Sequence, residues 1–143
     1  MNQNILKMAY ALFFQISSIL GFIISLYFVF TYLGLTKPSN KLIPADICSK
    51  NACSSVLETR FARVFKVPNF YLGIIYYFMV FISSFFALNN LILYFFLALS
   101  WFVVLFSVYL AYSLIFRLKT ACNLCFTAQI INLLIAVLYT LLT

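Results

Sequence analysis

The fold is decided by two long apolar runs that only a very short connection separates. Residues 70–88 read FYLGIIYYFMVFISSFFAL and residues 91–116 read LILYFFLALSWFVVLFSVYLAYSLIF, with Asn89 and Asn90 between them. A helix needs roughly 20 apolar residues to cross a bilayer, so each run is long enough to be a membrane span. Because so short a connection allows only a sharp reversal, the two spans are predicted to be antiparallel and packed side by side.

Two further apolar runs flank this pair, at about residues 8–35 and at about residues 121–142. The first is too long for a signal peptide and shows no small-residue cleavage pattern before Lys37, so we expect it to be a retained span. The predicted fold class is therefore all-α, an integral membrane bundle of four transmembrane helices. The whole chain, residues 1–143, is expected to be one such domain, with spans at approximately 8–35, 70–88, 91–116 and 121–142 and a cysteine loop at 36–69.

The composition supports a membrane protein and excludes soluble classes. The 143 residues are 66% hydrophobic and 8% charged, whereas a soluble domain is about half apolar and a quarter charged. A chain this short cannot bury so much apolar surface in one core, so that surface must face lipid. Cytosolic enzymes and DNA-binding proteins are excluded. The net charge of +7 therefore indicates membrane topology, and no nucleic-acid partner is expected.

All the cysteines are predicted to lie at one end of the bundle. Four spans place both termini on one face of the membrane, so the long first loop and the short third loop share the opposite face. Cys48 and Cys53 lie in the long loop, and Cys122 and Cys125 lie at the start of the fourth span. Hydropathy and the even number of spans are sufficient for this prediction.

The long loop is predicted to contain a short amphipathic helix at about residues 51–65, where apolar residues recur at helical spacing. Such a helix would lie at the membrane interface. It would point Cys53 toward the bundle and leave Cys48 in the exposed part of the loop. We expect Pro68 to end this element and Asn69 to open the second span.

Sulfur is the main chemical resource of the chain. There is no His and there are only 2 acidic residues, which disfavours hydrolases and carboxylate-based proton pumps. Cys122 and Cys125 are spaced to share a helix face, close enough for a disulfide. The helix N-terminus, Arg117 and Lys119 would stabilise a thiolate there, with Thr120 as the N-cap. Since a thiolate is the attacking species in disulfide exchange, the pair is predicted to be exchange-competent.

Two other uses of the cysteines stay open on this reasoning. The four thiolates could bind a soft metal, or two structural disulfides could staple a small membrane protein. One cysteine pair lies in a loop and faces a second pair at the start of a helix. This arrangement suits an electron relay better than it suits a metal site or two structural disulfides. With no haem or dinucleotide pattern, the acceptor is predicted to be a membrane quinone. The aromatic and amide side chains expected to bind it are Asn69, Tyr76, Tyr77, Gln129 and Asn132.

The order of these motifs resembles the vitamin K epoxide reductase family, and its bacterial and archaeal quinone-linked members in particular. The similarity lies in Cys48-x4-Cys53, Pro68-Asn69, Leu72-Gly73-x-x-Tyr76-Tyr77 and Cys122-x-x-Cys125 with Asn132 downstream. It extends from about residue 10 to the end of the chain. It implies a membrane thiol–disulfide oxidoreductase that oxidises a thioredoxin-like protein, reduces a quinone of the ubiquinone or menaquinone type, and so supports disulfide formation.

The resemblance also implies roles for individual residues. Cys122 and Cys125 would form the active-site pair, and Cys125 would engage the quinone. Cys53 would attack Cys122, and Cys48 would exchange with the external thiol protein. Asn69 matches a family position that hydrogen-bonds a quinone carbonyl.

The chain departs from the family pattern at a few positions. Thr59 stands where the family usually has a Ser near the active site, so the hydroxyl is kept. Lys66 stands where a Gly is common, and Gln129 stands where larger members often carry an aromatic residue. Many relatives also have a fused thioredoxin-like domain after the fourth span; here the chain ends at Thr143, so the thiol partner is expected to act in trans.

Charge and family resemblance disagree on the orientation in the cell membrane. Only Lys7 is basic on the face of the termini, whereas the cysteine face carries Lys37, Lys41, Lys50, Arg60, Arg63, Lys66, Arg117 and Lys119. The positive-inside rule places the cysteines in the cytoplasm, as in some family members that look inverted. The family norm is the oxidising outer face. Both orientations stay open, and the charge favours the cytoplasmic one.

Overall fold

The protein is an all-helical bundle, as the sequence predicts. A computed structural model describes residues 2–35, 60, 63–86, 89–119 and 122–143. The helices in this part of the chain are α1 (Gln3–Tyr32), α2 (Asn69–Ser83), α3 (Asn90–Tyr112) and α4 (Asn123–Leu142). Two short strands, β1 (Arg63–Val64) and β2 (Val67–Pro68), form an antiparallel hairpin just before α2. A π-helical segment, Ser113–Leu118, extends α3.

Three of the helices are long and apolar enough to cross a membrane: α1, α3 with most of its π-helical extension, and α4. The fourth, α2, is also apolar but has 15 residues, which gives it a length of about 22 Å at 1.5 Å per residue. That is shorter than the roughly 30 Å hydrocarbon core of a bilayer. The helical part of the predicted span 70–88 thus ends at Ser83.

The early end of α2 has a local cause in two consecutive serines. Ser83 Oγ donates to the Val80 carbonyl at 2.8 Å, and Ser84 Oγ donates to the Phe81 carbonyl at 2.7 Å. Serine hydroxyls that bond to the preceding turn compete with the backbone hydrogen bonds of a continuing helix. The chain accordingly turns at Ser84 and Phe85.

The bundle is held by three helix pairs: α1 packs on α2, α3 packs on α4, and α1 packs on α4. The consecutive helices α2 and α3 contact each other much less. An apolar groove lies between them, lined by Phe78, Met79, Ile82, Ser83, Phe86, Leu91, Ile92, Phe95 and Phe96. The predicted side-by-side packing of the second and third spans is therefore looser than the short connection suggested.

Small residues let α1 and α2 approach closely. Gly21 on α1 lies against the ring of Tyr77, and a Cβ atom at Gly21 would overlap that ring. Gly73 on α2 faces α1, and a Cβ atom there would lie 2.7 Å from Ser25 Oγ. Small side chains at helix contacts are typical of membrane bundles, because they bring two backbones together.

The hairpin differs from the helix predicted over residues 51–65. Arg63 and Val64 pair as a strand with Val67 and Pro68, so the predicted helix is wrong at this end. Residues 51–59, 61 and 62 of that prediction lie outside the described part of the chain. Pro68 ends the hairpin and Asn69 opens α2, as the sequence predicts.

The hairpin turns through two residues in the left-handed region, Phe65 with φ 50° and Lys66 with φ 69°. This is the backbone of a type I′ turn, which favours Gly and Asn because a Cβ atom is crowded there. A Gly at position 66 would adopt this conformation without that crowding. The sequence gives no sign of this turn, because Phe65 and Lys66 stand where a Gly or an Asn would indicate one.

We expect Lys66→Gly to stabilise the protein by up to about 1 kcal/mol, because Gly adopts a positive φ without the Cβ penalty. The measurement is the thermal unfolding midpoint in detergent. Lys66→Ala is the matched control, since it removes the same charge and keeps the Cβ atom. An equal rise in both variants would attribute the gain to charge and contradict the turn argument.

Candidate functional site

The Cys122–Cys125 pair lies at the N-terminus of α4 and forms a disulfide. The two Cα atoms are 5.3 Å apart, within the range usual for disulfides. Cys122 is the N-cap of the helix, and its sulfur accepts a hydrogen bond from the Cys125 backbone N–H at 3.3 Å. The prediction that Thr120 caps the helix is therefore wrong. The cysteine sulfur occupies the position that a serine or threonine hydroxyl more often takes.

The two sulfurs have different surroundings. Cys122 is completely buried and packs with Phe28, Phe70 and Leu114. Cys125 is partly exposed and lines a cavity between the four helices. A molecule in this cavity would therefore meet Cys125.

The cavity has a volume of about 190 Å³ and lies at the end of the bundle where α2 and α4 begin. Its wall contains five of the six side chains that are predicted at the quinone site: Asn69, Tyr76, Tyr77, Gln129 and Asn132. The sixth, Thr59, lies outside the described residues. Most of the remaining wall is aliphatic or aromatic, with Val64 of the hairpin at its edge. The structure thus brings Cys125 and these side chains to one apolar space.

Two of the lining amides are available to a ligand. The side chains of Asn69 and Gln129 are partly buried and line the cavity. Within the described residues, neither carboxamide makes a hydrogen bond to the protein. Each therefore offers N–H donors and a carbonyl acceptor to a molecule beside Cys125.

The other three predicted ligands use their polar groups to join helices. The Tyr77 hydroxyl donates to Asn132 Oδ1 at 2.6 Å, and Asn132 Nδ2 donates to Ser107 Oγ at 2.9 Å. The Tyr76 hydroxyl donates to Ser100 Oγ at 3.0 Å. These contacts connect α2, α3 and α4 and form the inner end of the cavity, away from the disulfide.

The comparison with protein families covers nearly the whole chain. The model of the vitamin K epoxide reductase family matches residues 12–140. The chain belongs to that family. A search of the curated proteins gives no match. Family membership supports a membrane redox function, and the soft-metal alternative is not favoured.

One observation counts against that alternative. This vitamin K epoxide reductase family protein has its C-x-x-C sulfurs joined in a disulfide, which leaves neither as a thiolate ligand.

Sequence reasoning missed the wall that α3 contributes. Phe102, Phe106 and Ser107 line the cavity. The aromatic residues carry no signal, because they resemble lipid-facing residues of any apolar span. Ser107 does carry one: it lies two helical turns after Ser100 on the same face of a span with few polar residues, and both serines are buried. A repeated buried serine in such a span marks the side that faces the bundle.

The basic residues near the disulfide are exposed at the same end of the bundle. Arg117 and Lys119 both have exposed side chains, and neither lines the cavity. They contribute positive charge around the site rather than a wall of it. The predicted site residues Cys48, Cys53 and Thr59 lie outside the described residues.

We expect Cys125 to be more reactive than Cys122 in the folded, reduced protein, because Cys125 is the partly exposed sulfur. The experiment uses protein with Cys48→Ser and Cys53→Ser, treated with a reductant and then with N-ethylmaleimide. Peptide mass spectrometry gives the two alkylation rates. In denatured protein the rates should become similar, which serves as the control. Similar rates in the folded protein would contradict the assignment of Cys125 to the cavity.

Proposed function

We propose that this protein is a quinone-linked thiol oxidoreductase of the membrane that oxidises a thioredoxin-like partner and so supports disulfide formation. One observation carries the proposal. Cys125, one half of a disulfide, shares an apolar cavity with two carboxamides that have no hydrogen-bond partner in the described protein. Disulfide chemistry and a binding place for a carbonyl compound thus lie side by side within the membrane region.

The cavity suits the ring of a quinone. Its walls are mainly apolar, and the Asn69 and Gln129 N–H groups can donate to ring carbonyls. Its volume of about 190 Å³ is below the roughly 300–1,000 Å³ of typical ligand pockets, so it suits one ring system rather than a ring with a long tail. A prenyl tail would have to leave the bundle for the surrounding lipid.

The cysteines carry electrons in a defined order in this proposal. A thiolate of the partner attacks Cys48 in a Cys48–Cys53 disulfide and releases Cys53 as a thiolate. That thiolate attacks the sulfur of Cys122. That attack breaks the Cys122–Cys125 bond and leaves Cys125 as a thiolate at the cavity. The helix N-terminus, where the Cys125 N–H bonds to the Cys122 sulfur, stabilises negative charge on these sulfurs. One dithiol of the partner becomes a disulfide as a bound quinone takes up two electrons and two protons to become the quinol.

We expect Cys122→Ser and Cys125→Ser to abolish quinone reduction, because each removes the disulfide that meets the cavity. Cys48→Ser should block turnover with the protein partner and retain turnover with a small dithiol, which makes it the matched control. The measurement is anaerobic mixing of reduced protein with ubiquinone and menaquinone analogues, followed by quinone absorbance. Full quinone turnover in Cys125→Ser would refute the mechanism.

We also propose that α2 crosses the membrane, which brings the number of spans to four. It begins at Asn69 beside Cys125, and near its other end Ser83 Oγ lies 2.6 Å from the hydroxyl of Tyr139 close to the end of α4. The two helices thus run alongside each other through the bundle, although α2 is shorter. With four spans, the cysteine end lies on the membrane face opposite the termini.

The charge distribution favours a cysteine end in the cytoplasm. Among the described residues that end carries Arg60, Arg63, Lys66, Arg117 and Lys119, all exposed, and the other end carries Lys7. Basic residues near span ends are retained on the cytoplasmic side. In this orientation the protein would oxidise thiols inside the cell.

We expect a membrane-impermeant maleimide to leave reduced Cys48 unlabelled on intact cells and to label it after permeabilisation. The physical reason is the positive-inside bias of the cysteine end. Labelling of a cysteine introduced at Asn2, on the face of the termini, provides the control for reagent access from outside. Labelling of Cys48 on intact cells would place the cysteine end outside and contradict this orientation.

A further inference from the structure

A directed chain of hydrogen bonds ends at the cavity wall. The Tyr77 hydroxyl lies 2.6 Å from Asn132 Oδ1, and Asn132 Nδ2 lies 2.9 Å from Ser107 Oγ. These lengths match an O–H donor in the first bond and an N–H donor in the second. The Tyr77 hydroxyl has one proton, and Asn132 Oδ1 is a much closer acceptor for it than the Ala128 carbonyl at 3.4 Å. Tyr77 therefore donates to Asn132, which turns its NH₂ group toward Ser107.

The direction of these hydrogen bonds determines where the Ser107 hydroxyl can donate its proton. Its oxygen accepts from Asn132, so its own proton must point elsewhere. Several other helical serines donate that proton to a carbonyl of the preceding turn: Ser18 to Gln15, Ser83 to Val80, Ser84 to Phe81 and Ser113 to Tyr109. Within the described residues the Ser107 proton has no such acceptor, and the same holds for Ser25 and Ser100. Ser100 does not line the cavity, and no hydrogen bond fixes the direction of the Ser25 hydroxyl, so Ser107 is the one of the three that both lines the cavity and is oriented by a neighbour.

The position of Ser107 places this unused donor at the cavity. Its side chain is 6% exposed and lines the cavity wall. A buried donor without an acceptor is costly, and an acceptor in the cavity would remove that cost. Ser107 lies at the level of Asn132, which is about 10 Å further along α4 than Cys125 at 1.5 Å per residue. The donor is thus at the inner end of the cavity, opposite the disulfide.

We propose that Ser107 donates a hydrogen bond to the quinone carbonyl that lies farther from Cys125, with Tyr77 and Asn132 as the positioning residues that orient its hydroxyl. This inference rests on the proposed function. Asn69 and Gln129 serve the carbonyl nearer the disulfide. Donors at opposite ends of one narrow cavity select a para-quinone, because its two carbonyl groups point in opposite directions from the ring.

The test measures the two carbonyls of a bound quinone separately. Ubiquinone-1, labelled with carbon-13 at one carbonyl or the other, is bound to the oxidised protein, in which no thiols are available for turnover. Infrared difference spectra give the two carbonyl stretching bands, and titration gives the affinity. In the wild type both bands should lie below their frequencies in a detergent micelle. In Ser107→Ala one band should return toward the micelle value, and affinity should fall roughly three- to tenfold.

Matched variants separate a hydrogen bond to the ligand from a structural effect. Ser113 borders the same cavity on the same side of the bundle, but its proton is donated to the Tyr109 carbonyl at 2.9 Å. Ser113→Ala should therefore leave both bands unchanged. Ser107→Thr keeps the hydroxyl and should keep both shifted bands. If Ser107→Ala does not fold, Ser107→Cys has a weaker donor of similar size, and the same band should move part of the way.

The outcomes distinguish this inference from the function on which it rests. If wild-type protein binds no ubiquinone-1, the proposed function fails. If wild-type protein binds it and neither Ser107→Ala nor Ser107→Cys changes a carbonyl band, the assignment of Ser107 is overturned and the proposed function stands. An equal band change in Ser113→Ala would also overturn it, because the effect would then come from repacking of the wall.

Discussion

The bundle depends on the contacts of one side chain, Tyr77. Its ring packs where Gly21 of α1 leaves no side chain, and its hydroxyl bonds to Asn132 of α4, which in turn bonds to Ser107 of α3. These contacts join all four helices. Lipid provides little hydrophobic drive for helices to associate, so close packing and interhelical hydrogen bonds have to hold a membrane bundle together. These contacts hold the four helices together at the inner end of the cavity, and the cavity lies between them and the disulfide.

This arrangement divides the polar groups of the cavity into two sets. Tyr76 and Asn132 bond to serines of α3 and hold the helices. Asn69 and Gln129, nearer the disulfide, have no hydrogen-bond partner within the described protein. The polar atoms at the inner end are therefore oriented by the protein, whereas the outer end has amides that a ligand could orient. A single sequence motif could not show this difference, because amides and tyrosines look equally suitable as ligands when only their spacing is known.

The sequence predicted the helices and the cysteine pair well because hydropathy and helical spacing depend on local composition. It failed where geometry depended on one or two residues. Phe65 and Lys66 adopt a left-handed turn without the Gly or Asn that usually reveals one, so a strand pair was mistaken for the end of a helix. Cys122 caps α4 with its sulfur, a role that residue preferences assign to a hydroxyl. The disulfide itself was predictable, since its two cysteines are close in sequence.

The side chain of Gln129 bears on how a quinone would be recognised in the proposed function. An aromatic residue at that position would contribute ring packing, whereas Gln129 contributes a hydrogen-bonding amide next to Cys125. Ring packing is still available, because Phe102 and Phe106 of α3 line the cavity. Recognition would then depend on donors near the two ends of the ring, with apolar walls around its edge. Such walls discriminate weakly between ring substituents, because one added or missing methylene group changes binding by only about 1–3 kcal/mol. Under the proposed function, such a site would select quinones by the placement of their carbonyl groups more than by their ring substituents.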